Sequence, residues 1–215
     1  MPRTAPSGDS EATSAPSSSN DSPDLSSLIV TISGKPGSGK STVAKVLATR
    51  LGLDHHSAGD FMRQMAAERG LTVLELSRAA ESDPAVDLEI DRRTARLGAE
   101  RAGFVMDSRL AWHFIPHSVK VFLDVDLHEA ARRIFNARRE TEVENVDLES
   151  TMRSTLARQT SESSRYQRYY GVDYLQLERY DIVIDTTGLG VDEVVDRIVE
   201  RLAAVAGDEG EGSRP

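Results

Sequence analysis

Residues 34–41 read Gly34-Lys35-Pro36-Gly37-Ser38-Gly39-Lys40-Ser41. The stretch fits the spacing G-x-x-x-x-G-K-[ST], which requires a strand before it and a helix after it. Here the apolar run at 28–33 precedes the stretch and a helical pattern at 41–51 follows it. Its glycines let successive backbone N–H groups turn inward, and the helix N-terminus adds its dipole. The stretch therefore predicts a phosphate-binding loop on an α/β fold.

Two side chains of this loop have expected tasks. Lys40 reaches the β- and γ-phosphates of a nucleotide, and the Ser41 hydroxyl ligates Mg²⁺. The competing interpretation is a glycine-rich turn with a solvated lysine. We consider it the weaker one because the flanking strand and helix are both present.

The remaining chain repeats the alternation of strand and helix. Apolar runs predict further strands at 104–107, 119–124 and 181–185, with a weaker one at 53–57. Helical periodicity predicts helices at 41–51, 59–69, 73–80, 85–101, 127–139, 148–170 and 191–206. Strands separated by helices form right-handed crossovers, so we expect a doubly wound sheet of five parallel strands.

Composition excludes several classes of function. The chain has 215 residues, no cysteine, 26 Lys+Arg against 35 Asp+Glu and a net charge of −9. Absence of cysteine excludes disulfides, thiolate catalysis and cysteine-bound zinc. The acidic balance argues against a nucleic-acid partner. No apolar run approaches the roughly 18 residues that span a bilayer, so we expect no membrane partner.

The two ends differ in composition from the middle. Residues 1–27 are rich in serine and proline and carry four acids against one arginine, and residues 207–215 are acidic. Such segments bury too little apolar surface to order, so we predict a disordered leader and a disordered tail around a domain at 28–206. The leader lacks the apolar stretch of a secretory signal, which makes the cytoplasm the default location.

A second motif reads Ser57-Ala58-Gly59-Asp60-Phe61-Met62-Arg63 and follows the weak second strand. Gly59 permits a tight turn, Asp60 can cap a helix, and Arg63 lies one turn further along. Arginine binds phosphate through two parallel hydrogen bonds. The motif predicts an anion-binding helix start, and the simpler alternative is a helix cap beside an exposed arginine.

A third motif, Asp107-Ser108-Arg109, comes directly after the strand at 104–107. Ligands of open parallel sheets bind beyond the carboxyl ends of the strands. There Asp107 can hold Mg²⁺ through water and Arg109 can hold a second anion. Two alternatives stay open: an Asp107–Arg109 salt bridge within the loop, or Asp107 as general base for a substrate hydroxyl.

Arginines are dense in the third quarter of the chain: Arg132, Arg133, Arg138, Arg139, Arg153, Arg158, Arg165 and Arg168. Arg158 and Arg165 are seven residues apart and share a helix face. We expect at least two of the arginines to reach the site, since phosphoryl transfer spreads negative charge that a cationic flap can neutralise. The alternative is a solvated helix whose arginines pair with nearby glutamates.

Together these motifs resemble those of the nucleoside monophosphate kinases, and within that group the short cytidylate kinases of archaea and some bacteria. The likeness runs from about residue 28 to 202. Further stretches support it at 81–87, 90–93, 161–166, 170–173 and 180–186. Two positions depart from the pattern: Lys35 replaces a small residue or proline, and Asp107-Ser108 stands where Glu-Gly is commoner.

The resemblance implies a role for each motif. Residues 34–41 with Thr42 hold ATP, and either Arg133 or Arg138 flanks its base. The acceptor's phosphate is held near Ser57, Gly59, Asp60, Arg63 and Arg109. The implied catalytic residues are Lys40, Arg158 and Arg165. The implied Mg²⁺ ligands are Ser41 and Asp107. The resemblance also implies a P-loop kinase sheet in the strand order 2-3-1-4-5, a helical acceptor-binding insert at 57–102, a helical lid at 138–171 and a monomer.

The expected reaction is phosphoryl transfer from ATP to CMP or dCMP with Mg²⁺. Other acceptors remain open, namely AMP, UMP or a small hydroxyl substrate. A third possibility is a regulator that binds a nucleoside triphosphate without catalysis. Lys35, finally, either adds a charge beside the phosphates or points to solvent.

Overall fold

The computed structural model of the chain describes residues 26–137 and 147–211. Its strands are β1 Ile29–Gly34, β2 Asp54–Ser57, β3 Phe104–Asp107, β4 Val119–Asp124 and β5 Ile182–Asp185. Its α-helices are α1 Lys40–Leu51, α2 Ala58–Glu68, α3 Val73–Ser82, α4 Ala85–Glu100, α5 Ala111–Phe114, α6 Leu127–Asn136, α7 Leu148–Tyr170 and α8 Val191–Glu211.

The five strands form one parallel sheet in the order β2-β3-β1-β4-β5, which confirms the predicted topology. The strand β1 is central, pairing with β3 on one side and β4 on the other. All six residues of β1 are buried. This explains its continuous apolar run, because a central parallel strand is covered on both faces.

Helices cover both faces of the sheet, as a doubly wound fold requires. On one face Val30 and Ile32 pack with Val43 and Leu47 of α1 and with Ile198 of α8. The other face carries two clusters. One joins β1 and β3 to the insert helices α2, α3 and α4, and the other joins β4 to the end of α7 through aromatic side chains.

Helices lie in the parts of the chain where we predicted an insert and a lid. The helices α2, α3 and α4 lie within 57–102, and α7 forms most of 138–171. Residues 138–146 of the predicted lid, which include Arg138 and Arg139, lie outside the described residues, as do residues 1–25 of the predicted leader. No helix in the described ranges is both long enough and apolar enough to cross a membrane.

Apart from boundary shifts of one or two residues, the elements differ from the prediction at three places. The short helix α5 at Ala111–Phe114 was not predicted, because four residues are too few to show a helical period. The helix α6 ends at Asn136 instead of residue 139. The helix α8 continues to Glu211, so 207–211 are helical where we expected the disordered tail. Residues 212–215 lie outside the described residues.

Candidate active site

The phosphate-binding loop connects β1 to α1 at the carboxyl end of the central strand. Gly37 has a φ of 80° there, and a Cβ at this position would lie 2.8 Å from Ala130 of α6. Only glycine fits this combination of left-handed backbone and close approach. The helix α1 has no side-chain cap at its N-terminus, so its first N–H groups remain available to an anion.

A cavity of about 270 Å³ lies over this loop. Residues 35–42 line it together with Arg109, Ile134 and Arg158. The Ser38 hydroxyl is buried in the loop and has no hydrogen-bond partner among the described residues. Backbone N–H groups, an ammonium and an unpaired hydroxyl around one cavity suit a polyphosphate. We refer to this space as the loop cavity.

Lys40 forms an ion pair with Asp107, the last residue of β3. Their side chains are 14% and 5% exposed, so the pair is largely shielded from water. Burial lowers the pKa of Lys40, and the Asp107 carboxylate opposes that shift. The Asp107 carboxylate thus contacts the loop lysine, and this contact replaces the Asp107–Arg109 salt bridge that was one of the two alternatives.

A second cavity of about 270 Å³ lies between the insert and the lid. Its walls come from α2, α4, the residues after β3 and α7. Gly59, Met62, Asp87, Asp91, Arg109, Arg165 and Tyr170 are among its lining residues. Arg109 lines both cavities, so its guanidinium lies where the two spaces meet. We refer to this second space as the acceptor cavity.

The lid arginines are paired with carboxylates. Glu162 lies 2.6 Å from Nε of Arg109 through one oxygen and 3.1 Å from Nε of Arg158 through the other. The Arg165 guanidinium lies 3.4 Å from Asp87 of α4. Glu162 and Asp87 therefore occupy positions on these cations that phosphate oxygens would take when a nucleotide binds.

The residues of the second motif are arranged around the start of α2. The Ser57 hydroxyl accepts a hydrogen bond from the Asp60 backbone at 3.0 Å and donates to the Asp60 carboxylate at 2.6 Å. Arg63 pairs with Asp60 and is 61% exposed. Gly59 lines the acceptor cavity, whereas Arg63 is not among the described residues that do. The helix-cap alternative thus describes Ser57 and Asp60 as they stand in this structure.

Two further cations lie near the loop. Lys35 is 2.5 Å from Asp124 at the end of β4 and lines the loop cavity, so its charge is both paired and close to the phosphate position. Arg133 donates to the Thr186 carbonyl at 2.6 Å and to Glu129 at 2.8 Å. Of the described residues of α6, Ile134 lines the loop cavity and Arg133 does not.

Several lining residues were not among the predicted site residues. These residues are Glu162, Asp87, Asp91, Tyr170 and Ile134. The sequence offers two signals for some of them: the stretches 81–87, 90–93 and 170–173 that support the resemblance, and the four-residue spacing that places Asp87 and Asp91 on one face of α4. That spacing does not reveal which face meets the cavity.

A parallel sheet of this order, with a glycine loop after its central strand, defines the class of phosphate-binding-loop α/β kinase folds. The sequence profile of the cytidylate kinase-like family matches residues 29–188. The chain therefore belongs to that family, which confirms the resemblance stated from the motifs.

Curated relatives agree with this assignment. A cytidylate kinase of Methanothermobacter thermautotrophicus is 43% identical over 159 residues, covering 74% of this chain and 95% of the relative. A cytidylate kinase of Halobacterium salinarum is 38% identical over 190 residues, covering 87% and 96%. A solved shikimate kinase of Bacteroides thetaiotaomicron superposes with a TM-score of 0.59 at 15% identity, covering 81% of this chain and 98% of that one. This last likeness shows the fold alone.

Proposed function

We propose that the chain transfers the γ-phosphoryl group of ATP to CMP or dCMP, giving ADP and the corresponding cytidine diphosphate. The observation that carries the proposal is the junction of two cavities at Arg109, one lined by the phosphate-binding loop and one by the insert and lid. A donor and an acceptor placed in these spaces meet through their phosphates. Membership of the cytidylate kinase-like family supports the acceptor.

On the donor side, the loop residues 35–42 hold the ATP phosphates through backbone N–H groups and the free N-terminus of α1. Lys40 lines the same cavity, and it exchanges its contact with Asp107 for the β- and γ-phosphates. Arg133 and Arg138 remain candidates for the base of ATP. Arg133 lies beside the segment at 186–189, whose carbonyl oxygens it already contacts.

On the acceptor side, Arg109 holds the phosphate of CMP, with Ser57, Gly59, Asp60 and Arg63 at the start of α2 around it. That phosphate is already ionised near neutral pH, so its oxygen attacks the γ-phosphorus without a general base. The bond from the γ-phosphorus to the bridging oxygen of ATP breaks, and ADP leaves with the electron pair. Arg158 and Arg165 neutralise the charge that spreads over the transferring group.

Mg²⁺ fits the oxygen donors on this side of the sheet. The Ser41 hydroxyl lines the loop cavity, and the Asp107 carboxylate lies against Lys40 at its edge. Mg²⁺ needs only one or two protein oxygens when phosphates and water complete its shell, so Ser41 and Asp107 would suffice. When bound, the ion withdraws charge from the phosphate oxygens.

A small hydroxyl substrate is the main alternative, since the shikimate kinase fold is shared. It would use Asp107 as a general base, and this carboxylate is paired with Lys40 only until Lys40 turns to the ATP phosphates. Arg109 and Arg165 of the acceptor cavity suit an anionic acceptor, whether its anion is a carboxylate or a phosphate. Membership of the cytidylate kinase-like family therefore favours the phosphate acceptor.

The test is a panel of initial rates with ATP and Mg²⁺, measured as ADP formation. CMP, dCMP, UMP, AMP and GMP are compared with shikimate and gluconate, and a reaction without acceptor measures hydrolysis. We expect CMP or dCMP to give the highest kcat/KM. Transfer only to a hydroxyl acceptor would overturn the proposal, and ATP binding without transfer to any acceptor would identify a regulator instead.

A further inference from the structure

Asp91 and Tyr170 form a contact in the wall of the acceptor cavity that the reaction itself does not use. Asp91 lies on α4 and Tyr170 is the last residue of α7, so the contact joins the insert to the lid. Both side chains line the acceptor cavity, and neither is among the described residues of the loop cavity. The contact therefore belongs to the acceptor cavity alone, at the place where α4 meets the end of α7.

The hydrogen bonding leaves one carboxylate oxygen available. The Tyr170 hydroxyl donates to Oδ2 of Asp91. No donor among the described residues is bonded to Oδ1 of Asp91, whereas the neighbouring Asp87 is engaged by Arg165 at 3.4 Å. A cavity wall thus presents an oriented oxygen that accepts a hydrogen bond and cannot donate one.

With its phosphate at Arg109, which lines both cavities, an acceptor nucleotide has the acceptor cavity as the space for its nucleoside. Met62, Ile90 and Leu110 supply apolar surface there for the faces of a base. The edge of the base then meets polar groups on α4 and α7. Cytosine presents an exocyclic amino group at this edge, where uracil presents a carbonyl oxygen. A carboxylate accepts a hydrogen bond from the amino group and repels the carbonyl oxygen.

We propose that Asp91, held by Tyr170, accepts a hydrogen bond from the exocyclic amino group of the acceptor base and so selects CMP over UMP. The inference rests on the proposed function, because it takes the acceptor to be a nucleoside monophosphate. Adenine carries an equivalent amino group. Asp91 therefore distinguishes bases with an amino group from bases with a carbonyl at this edge, and the apolar walls distinguish bases by size.

The electrostatics of the wall agree with this role. Burial raises the pKa of Asp91 to about 6, with Asp87 adding to the shift and the Tyr170 hydroxyl and Arg165 opposing it. The carboxylate is therefore mostly ionised at neutral pH and acts as an acceptor. Burial and the bond to Asp91 also raise the pKa of Tyr170. The phenol consequently stays protonated and keeps donating to Asp91.

The test compares kcat/KM for CMP and for UMP in the wild-type protein and in Asp91→Asn. The amide can rotate to donate to the carbonyl oxygen of uracil, so the preference for CMP weakens. We expect the CMP:UMP ratio to fall at least tenfold, mainly through a higher KM for CMP, with kcat changing less. The matched control is Glu100→Gln, an exposed residue near the end of α4 that pairs with Arg96, and its ratio should stay unchanged.

Tyr170→Phe provides a second variant in case Asp91→Asn does not fold, as judged by circular dichroism. Loss of the phenol frees the carboxylate to rotate, so the CMP:UMP ratio should fall at least threefold. An unchanged ratio in the folded variants overturns the inference, as does a wild-type protein that uses CMP and UMP equally well. A wild-type protein that phosphorylates no nucleoside monophosphate overturns the proposed function itself, which separates the two failures.

Discussion

The loop side and the acceptor side of the candidate active site are built in different ways. The loop cavity takes eight of its lining residues from one continuous stretch, 35–42. The acceptor cavity takes its lining from α2, α4, α7 and the segment after β3, positions spread from residue 58 to residue 170. The loop side is therefore built mainly from the backbone of one segment, whereas the acceptor side is built from side chains of several elements.

The two sides also differ in how their charges are held. The loop presents N–H groups at an uncapped helix start, and Lys40 is its buried cation. On the acceptor side, Arg109 and Arg158 share Glu162, and Arg165 faces Asp87. A phosphate entering the acceptor side must replace carboxylates at these arginines. The acceptor side therefore depends on rearranging several side chains, whereas the loop backbone is formed in advance and Lys40 alone must leave its carboxylate.

The largest effect is expected at the loop lysine. Lys40→Ala removes the cation at the transferring phosphate, so we expect kcat to fall about 10³-fold or more. Lys45→Ala, at an exposed position on the same helix, is the control and should keep wild-type rates. Steady-state kinetics measure both, with thermal unfolding as a check because Asp107 loses its partner. Turnover close to wild type in Lys40→Ala would remove the loop from the mechanism.

Arg109 tests the junction between the two sides. Arg109→Ala should lower kcat/KM for CMP about 10²-fold, since a charge-assisted contact to the acceptor phosphate is lost. Arg63→Ala should lower it about tenfold or less, because Arg63 is exposed and pairs with Asp60. Initial rates at varied CMP give both values. A larger loss for Arg63 than for Arg109 would contradict this arrangement of the acceptor side.

Gly37 in the loop and Gly52 at the far end of α1 separate the effect of backbone conformation from the effect of close packing. Gly37→Ala combines a positive φ with a Cβ only 2.8 Å from Ala130, so we expect a loss of about 3 kcal/mol in unfolding free energy. Gly52→Ala has a positive φ of 67° but open space, so about 1 kcal/mol is expected. Urea unfolding measures both, and equal losses would show that packing against α6 is unimportant.

The smallest effect concerns pH and the acceptor side. The pKa of Asp91 is raised from 3.8 to about 6 by burial, so the folded protein binds this proton more tightly than the unfolded chain. Protonated Asp91 therefore contributes to the free energy of unfolding below pH 4, and this contribution is lost as the pH rises through 6. Because the Asp91 side chain is only partly buried, we expect the free energy of unfolding to fall by about 1 to 2 kcal/mol over this pH range.

Asp91→Asn should remove this pH dependence, leaving the variant as stable as the wild type or more stable at pH 7. Chemical unfolding of both proteins between pH 4 and 7 measures the difference. A stability difference that does not change over this range would show that Asp91 titrates normally. Gly37→Ala on the loop side is the control, because its loss of unfolding free energy should be the same at pH 4 and at pH 7.

Much of the fold followed from local patterns. The apolar runs located all five strands, and the glycine loop after the first of them indicated the class of sheet, because a phosphate-binding loop requires a strand and a helix around it. The short helix α5 and the end of α8 were missed. The first is too short to show a period, and the second continues through acidic residues that give no apolar face.

The candidate site was predictable to a smaller extent. The motifs at 34–41, 57–63 and 107–109 do lie around the two cavities or at their edges. The lining roles of Asp87, Asp91 and Tyr170 could not be predicted, because they depend on how α4 and α7 face each other. The pairing of Glu162 with two arginines likewise joins residues from two separate segments.

The amino-acid sequence alone determined the phosphate-binding loop, because eight consecutive residues carry both its backbone freedom and its charge. The alternation of strand and helix also determined that the sheet is parallel, and the resemblance of the motifs to a known family supplied its strand order. Only the tertiary structure decided which carboxylate faces which arginine and which side chains form the acceptor cavity. Those contacts join residues far apart in the chain, and spacing along a chain does not specify distances across it.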